Sequence, residues 1–225
     1  MGICNSIVRI AFVCGLLACQ EDVSARYVQS DPVGLEGGIN SYAYAQSRPT
    51  QLVDPLGLRP LTENEKTFLR SHFGSCLDSV LEKFDVNVRT FGDTRRAVSL
   101  DNGFISFPSS YFQDQDPSKE LNLASPRVAS VMGHESLHQL QRLNGINVTG
   151  QAALLQLTAS LGISDPYSYP SSSDPQTMLG TFRTGNIEQQ GQMFEDYLFI
   201  RLSRGDPARY QAIAEYVKNN CACSK

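Results

Sequence analysis

The stretch HESLH at positions 134–138 places two histidines four residues apart, with a glutamate directly after the first. It follows the apolar stretch VASVM at 128–132. Ser125-Pro126 before it and Gly145 after it are signals for the start and the end of a helix. We therefore predict one helix from Ser125 to about Gly145, and we expect it to pack into a core.

The two histidines of this helix have the spacing of metal ligands. Residues i and i+4 lie on one face of a helix, with Cβ atoms about 5–6 Å apart, so His134 and His138 could bind one Zn²⁺ at about 2.0–2.1 Å. Glu135 lies about 100° further round the helix, where it could take a proton from a water whose pKa zinc lowers to about 7. The pattern predicts two ligands and a general base. The alternative is a helix whose histidines only form hydrogen bonds.

A catalytic zinc needs a third protein ligand and one open position. His72 is the remaining histidine, but it lies far upstream in a helix of its own. A helix predicted at 186–202 contains three candidate carboxylates, Glu188, Glu195 and Asp196. Glu188 and Glu195 lie within about 20° of each other around that helix, whereas Asp196 lies about 80° from Glu188. At this stage the third ligand stays open among the three.

Residues 59–225 have the pattern of an α+β domain. Thr62 and Glu65 have the spacing of a capping box. Asn186 is predicted to cap the helix at 186–202. Gly191 in the middle of that helix is unfavourable by about 1 kcal/mol relative to alanine, which a close helix approach would explain. The predicted order is a helix at 61–84, strands at 86–91, 96–100 and 103–107, the helix described above, a helix at 151–161, a loop at 164–176, and helices at 186–202 and 206–220. This order predicts a mainly helical α+β fold with a small antiparallel sheet before the histidine-bearing helix.

Charge and cysteine content restrict the class of protein. The formal net charge is −4 and there is no basic stripe, so we expect no nucleic-acid partner. The six cysteines do not form a disulfide-scaffold pattern, and Cys76 stands alone. Cys221 and Cys223 form a terminal C-x-C, which we interpret as incidental thiols or one bridge partner rather than a metal site.

Residues 1–25 are interpreted either as a leader or as an upstream fragment. Their apolar run, 10–18, is too short to span a bilayer, so no stable transmembrane span is expected there. Residues 23–25 offer a small-residue cleavage site, and the sequence up to Cys19 resembles a lipoprotein acylation box. A single basic residue, Arg9, argues against export. We expect a chain that is secreted or delivered into a target cell.

Residues 26–58 are rich in turn residues around short predicted strands. They contain DPVGL at 31–35 and DPLGL at 54–58. This stretch resembles the C-terminal end of the core of Rhs/YD-repeat proteins. The resemblance implies self-cleavage after Leu58, with Asp31 and Asp54 as candidate acidic groups. It also implies that residues 59–225 are a polymorphic toxin domain with a secretion-system carrier and a cognate immunity protein.

The segments VMGHESLHQLQ at 131–141 and NIEQQGQMFEDYL at 186–198 resemble zincin-type metallopeptidase domains at the ends of such toxins. The resemblance implies a zincin-like fold acting on a protein or peptide, with zinc bound by His134, His138 and Glu188. Glu135 would then be the catalytic base.

The same resemblance implies roles for several neighbouring residues. Either Glu195 or Asp196 would orient a ligand, the alternative being that both lie on a solvated helix face. The strand GFISF at 103–107 would lie beside an extended substrate. Tyr167 and Tyr169 could supply a hydroxyl for the oxyanion or could anchor their loop.

Two other functions stay open on the sequence alone. The first is a non-enzymatic binding domain in which the histidine pair holds a structural metal or none. The second is a zinc amidase that acts on a non-protein amide, which the same chemistry would serve.

Overall fold

The computed structural model describes residues 59–90, 92–100 and 103–221. All of them belong to Asp54–Lys225, one of the two units into which the chain divides. The segments 1–25 and 26–58 lie outside the described residues, so the interpretation of the leader and the cleavage after Leu58 both stay predictions. Cys223 also lies outside them.

Two long helices form the centre of the fold. Helix α3 runs from Pro126 to Leu143, and helix α6 from Ile187 to Leu202. Pro126 is the first residue of α3, as predicted. The Asn186 side chain accepts a hydrogen bond from the backbone N–H of Gln189, whose side chain in turn accepts from the backbone N–H of Asn186. Every residue of α3 from Val128 to Gln141 is buried, so this helix is covered on all sides.

The two helices approach closely because α3 has a glycine at the crossing. A Cβ atom at Gly133 would lie 2.1 Å from Cδ1 of Leu198 on α6. Such a separation is far below van der Waals contact, so any larger residue there would force the Leu198 side chain to shift. Leu198 is completely buried in this contact.

Five shorter helices pack around this pair. The helix predicted at 61–84 is divided at Gly74, whose φ of 59° ends the first part. The capping box of Thr62 and Glu65 is confirmed. A further helix, from Pro175 to Thr184, was not predicted, although Asp174 caps it and Pro175 is its first residue. The five are α1 (Glu63–Phe73), α2 (Asp78–Leu81), α4 (Val148–Ser160), α5 (Pro175–Thr184) and α7 (Gln211–Asn220).

A small four-stranded sheet lies before α3 in the chain. Its strands are β1 (Arg59–Pro60), β2 (Asp85–Val88), β3 (Val98–Ser99) and β4 (Phe104–Phe107), in the order β1-β2-β4-β3. β2 pairs with β4 in parallel, whereas the other two pairs are antiparallel. The fold is therefore α+β and mostly helical, as predicted, but the sheet is mixed and not antiparallel. The edge strands of this sheet are β1 and β3. β4 lies between β2 and β3 and has no free edge, so GFISF does not take the place beside an extended substrate that the resemblance implies.

The first and the last described residues, Arg59 and Cys221, are both attached to the core. Arg59 forms two hydrogen bonds with the fully buried carboxylate of Glu65, at 2.8 and 2.7 Å. That carboxylate also accepts the backbone N–H of Leu121. At the other end, a disulfide joins Cys76 to Cys221, 145 residues apart. Among the described helices, none combines the length and the apolar character that a bilayer crossing requires.

Reduction of the disulfide should destabilise the domain. A crosslink over so long a separation restricts the unfolded chain, and its loss should lower the free energy of unfolding by about 3–5 kcal/mol. Denaturant unfolding with and without dithiothreitol measures this difference. Cys76→Ser without reductant should unfold at the same denaturant concentration as the reduced wild type. An unchanged midpoint on reduction would contradict the assignment of this pair.

His72 should make stability depend on pH. Burial, and next the charges of Arg201 and Lys218, lower the pKa of His72 from 6.5 to about 4. Between these two values the unfolded chain binds more protons than the folded chain. Stability is therefore retained above about pH 6.5 and lost as the pH falls towards 4, by at most about 3 kcal/mol. Urea unfolding of wild type and His72→Gln at about pH 7.5 and about pH 4.5 isolates this contribution, which the variant should lack.

Candidate metal centre

The two histidines of α3 converge on one point, as their spacing predicts. The Nε2 atoms of His134 and His138 lie 3.1 Å apart, and the two rings meet at an interplanar angle of 75°. Both side chains are about 5% exposed, so their environment is set by protein groups.

Glu188 brings a carboxylate to the same point. It lies in the first turn of α6, and its Oε2 is 3.5 Å from Nε2 of His134 and 3.6 Å from Nε2 of His138. The three donor atoms thus form a nearly equilateral triangle. This buried group of two histidines and one glutamate could hold a metal ion.

Gly191 makes room for the first histidine. A Cβ atom at this position would lie 2.6 Å from Nε2 and 2.7 Å from Cε1 of His134. Any side chain there would therefore displace the imidazole from the donor triangle. The close helix approach expected at this mid-helix glycine is therefore present, and the contact is with His134.

Each histidine uses its other ring nitrogen to bind a group that fixes its orientation. For His134 this group is Glu195, whose Oε2 lies 3.0 Å from Nδ1. The second oxygen of Glu195 accepts a hydrogen bond of 2.6 Å from Arg127. A carboxylate that holds Nδ1–H in this way leaves Nε2 directed at the donor triangle, and it raises the basicity of the ring.

For His138 the orienting group is a chain of neutral amides. Gln141 Oε1 lies 2.7 Å from Nδ1 of His138, and Gln141 Nε2 donates to Gln190 Oε1 at 2.8 Å and to the backbone carbonyl of Ile187. Gln190 Nε2 donates in turn to the carbonyl of Phe182 at 3.0 Å. Because the side-chain amides of Gln141 and Gln190 both have hydrogen-bond partners, the orientation of His138 is fixed by contacts that run from α3 through α6 to α5.

The charges of the cluster shift the pKa values of its members in opposite directions. Burial alone would lower the pKa of His134, but hydrogen bonds to Glu188 and Glu195 outweigh it and raise that pKa to about 10. Burial likewise opposes ionisation of Glu188, but its hydrogen bonds to the two histidines hold its pKa well below the usual range. The carboxylates therefore attract positive charge to the donor triangle, and a bound cation would supply it in place of a proton.

Glu135 is buried beside the donor triangle but differs from the other carboxylates. It accepts no hydrogen bond from any residue in the described part of the chain. Burial raises its pKa, and the nearby charges of Glu188 and Glu195 contribute in the same direction, whereas the two histidines oppose the shift. Glu135 lines a cleft of about 600 Å³ together with the donor triangle.

The remaining candidates divide into those that line the cleft and those that do not. Tyr167 lines it, with its ring 6.5 Å from the His134 ring. Tyr169 instead contacts the carboxylate of Asp196 and the Tyr210 hydroxyl, so this tyrosine anchors its loop and Asp196 does not orient a ligand. The strand beside the cleft is β3, since residues 97–100 line it and those of β4 do not.

Sequence patterns did not indicate Gln141, Gln190 and Arg127, which complete the surroundings of the ligands. Gln141 lies three residues after His138 on the same helix, and this spacing was a signal that could have been used. Arg127 and Gln190 reach the site only through the packing of α3 against α6.

Comparison with known proteins does not identify a relative. No family model matches the chain, and neither a curated protein nor a solved structure is detectably similar to it.

Gly191→Ala should abolish high-affinity binding of a divalent cation. The new methyl group would force the His134 imidazole out of the donor triangle, whereas the helix itself should gain from the alanine. We expect at least about tenfold weaker Zn²⁺ binding by calorimetry, with an unchanged circular-dichroism spectrum.

Gly180→Ala is the matched control, because Gly180 also lies within a helix but a methyl group placed on it would have no atom within 4 Å. It should bind Zn²⁺ like the wild type. Equal affinity in Gly191→Ala and Gly180→Ala would contradict the proposed donor triangle.

Proposed function

We propose that residues 59–225 are a zinc-dependent peptidase domain of zincin type. His134, His138 and Glu188 would hold the zinc, and Glu135 would act as the general base. The observation that carries this proposal is the donor triangle with Glu135 beside it, at the floor of an open cleft.

The geometry of the donor triangle supports zinc as the metal. Tetrahedral zinc with bonds of about 2.0–2.1 Å has neighbouring donors about 3.3–3.4 Å apart. The three separations here are 3.1, 3.5 and 3.6 Å. Two imidazoles and one carboxylate are also a donor set of catalytic zinc sites, in which the fourth position stays open to water or substrate. The oxygen-rich sites that Ca²⁺ and Mg²⁺ prefer differ from this set.

Glu135 has the environment of a general base. When bound, zinc acts as a Lewis acid and makes water a nucleophile near neutral pH. A base with a raised pKa accepts a proton more readily, and proton transfer is most efficient when that pKa lies near the working pH. The carboxylate of Glu135 has no competing hydrogen bond within the described residues, so it can accept the proton of the attacking water and deliver it to the leaving amine.

Tyr167 is the residue best placed to stabilise the oxyanion. Its hydroxyl accepts a hydrogen bond from Gln156 at 3.0 Å and another from Arg96. These two donors leave the phenolic proton free to be donated into the cleft. A positioned donor at the developing negative charge lowers the barrier of acyl transfer.

We also propose that this domain acts as a toxin released from an Rhs-like carrier. The support is the paired DPVGL and DPLGL sequence within 26–58. If the chain is cut after Leu58, Arg59 becomes the first residue of the domain, and its two hydrogen bonds to Glu65 would keep that end attached. Expression of residues 59–225 in bacteria, with Glu135→Gln as comparison, tests whether toxicity depends on catalysis.

Glu135→Gln should separate metal binding from catalysis. Glutamine keeps the size of the side chain but cannot accept the proton, so the turnover of a peptide library should fall about 10²–10⁴-fold. The zinc content should stay near one per chain, and new peptide N-termini should be detected with wild type alone. Glu215→Gln, an exposed substitution on α7, should cleave like wild type. Cleavage by Glu135→Gln at the wild-type rate would overturn the mechanism.

A further inference from the structure

The cleft beside the donor triangle has an unusual concentration of arginines. Its lining includes five arginines and no lysine, although the chain as a whole has a formal charge of −4. Three of them, Arg89, Arg95 and Arg96, belong to the segment between β2 and β3, and two, Arg127 and Arg142, belong to α3. The planar guanidinium group binds carboxylates through two parallel hydrogen bonds, which the ammonium of lysine cannot do.

Most of these arginines are engaged within the protein. Arg127 is bound to Glu195 at 2.6 Å and Arg95 to Asp93 at 3.0 Å. Arg142 donates to the side chain and the backbone carbonyl of Ser99, both at 2.9 Å. These three arginines therefore already use their charges or their N–H donors in contacts within the protein.

Arg96 differs, because a neutral ring holds it. Its guanidinium carbon lies 5.0 Å from the centroid of the Tyr167 ring, and it donates one hydrogen bond to the Tyr167 hydroxyl. Among residues 59–90, 92–100 and 103–221, no carboxylate lies within ion-pair distance of Arg96. Its side chain is exposed at the cleft. Stacking on Tyr167 thus fixes the direction of a positive charge without neutralising it.

Arg96 lies close enough to the donor triangle to contact the same bound peptide. Tyr167 contacts Arg96 on one side, and its ring lies 6.5 Å from the His134 ring. The distance from the guanidinium to the donor triangle is therefore one that about three or four residues of an extended peptide would span. A side chain or a terminus of a bound peptide can reach the Arg96 guanidinium while the scissile amide of that peptide lies beside Glu135.

We infer that Arg96 determines substrate specificity by binding a carboxylate of the peptide close to the scissile amide. This inference rests on the peptidase function proposed above. The carboxylate has two sources, an Asp or Glu side chain within the peptide or the C-terminal carboxylate of a short peptide. Because no carboxylate of the described residues is ion-paired with Arg96, the substrate carboxylate gains the interaction without displacing any of them.

The distribution of charge favours a single carboxylate over a polyanion. The lining of the cleft contains three buried glutamates, Glu135, Glu188 and Glu195, together with the five arginines. A phosphodiester chain along the cleft would pass close to those three carboxylates and be repelled. One carboxylate at Arg96, with a neutral amide at the three glutamates, meets less repulsion than a chain of phosphates, although Asp93 and Asp165 also line the cleft.

Turnover of paired peptides by the full zinc-loaded chain tests this inference. One series exchanges Asp for Asn at each position around the cleavage site, and a second exchanges a C-terminal carboxylate for an amide. Wild type should prefer the acid over the amide by about tenfold in kcat/KM at one position. Arg96→Gln should lose that preference, so that it cleaves the acid and the amide member of each pair with equal kcat/KM.

Two further variants exclude a general loss of structure. Arg183→Gln removes another arginine that stacks on a tyrosine, Tyr216, away from the cleft, and should keep the wild-type preference. Arg96→Glu should reverse the preference, so that peptides with lysine at the responsive position are cleaved about tenfold faster than those with aspartate. A misfolded variant could not gain activity in this way.

Binding measured without turnover separates this inference from the peptidase proposal. Fluorescence anisotropy with Glu135→Gln should show tighter binding of the acid peptide, and this difference should disappear in Glu135→Gln/Arg96→Gln. If wild type cleaves all pairs equally, the role of Arg96 is refuted and the peptidase stands. If wild type cleaves no peptide but the Arg96-dependent binding difference remains, the peptidase proposal fails and the carboxylate site stands. Stronger binding of a single-stranded oligonucleotide than of the acid peptides would overturn the inference.

Discussion

The contact between the His134 imidazole and Gly191 is the constraint on which the rest of the site depends. A Cβ atom at position 191 would lie only 2.6 Å from Nε2 of the ring, so α6 can approach α3 this closely only with glycine there. Glu188 and Glu195 lie three residues before and four residues after Gly191, on the same face of α6. One face of α6 therefore brings three features to His134. These are the carboxylate of Glu188 at the donor triangle, the space left by Gly191 and the orienting carboxylate of Glu195. Gly133 on α3 fixes the same helix crossing from the other side, where it accommodates Leu198.

Burial of so many ionisable groups is tolerable because almost all of them have partners. A buried charge without a partner is strongly unfavourable, whereas one that is hydrogen-bonded and paired is not. Glu195 is held between His134 and Arg127, and Glu188 between the two histidines. Glu135 is the exception within the described residues, and it is the residue that faces the cleft. The arrangement therefore retains one carboxylate in an unfavourable state at the place where proton transfer would need it.

Local signals allowed a large part of the fold to be predicted. The capping residues of α1 and α6, the first residue of α3 and the existence of the strands depend on neighbours in sequence, and these predictions are confirmed. The pair His134 and His138 depends only on helical periodicity. The position of Glu188 beside them, the parallel pairing of β2 with β4 and the bond from Cys76 to Cys221 are tertiary facts between distant segments. No spacing in the sequence encodes them, which is why the sheet was predicted as antiparallel and the interior strand β4 was expected to lie beside a substrate.

The two histidines are oriented by supports of different chemistry. A charged pair, Glu195 with Arg127, holds His134, whereas uncharged amides that end at the backbone of α5 hold His138. Acid weakens the first support once it protonates Glu195 and leaves the second in place, whereas salt screens this largely buried pair only weakly. The orientation of His134 therefore depends on the charge of a neighbouring carboxylate, while that of His138 does not. Entry into an acidic compartment would weaken cation binding from the side of His134 and leave the amide contacts of His138 in place.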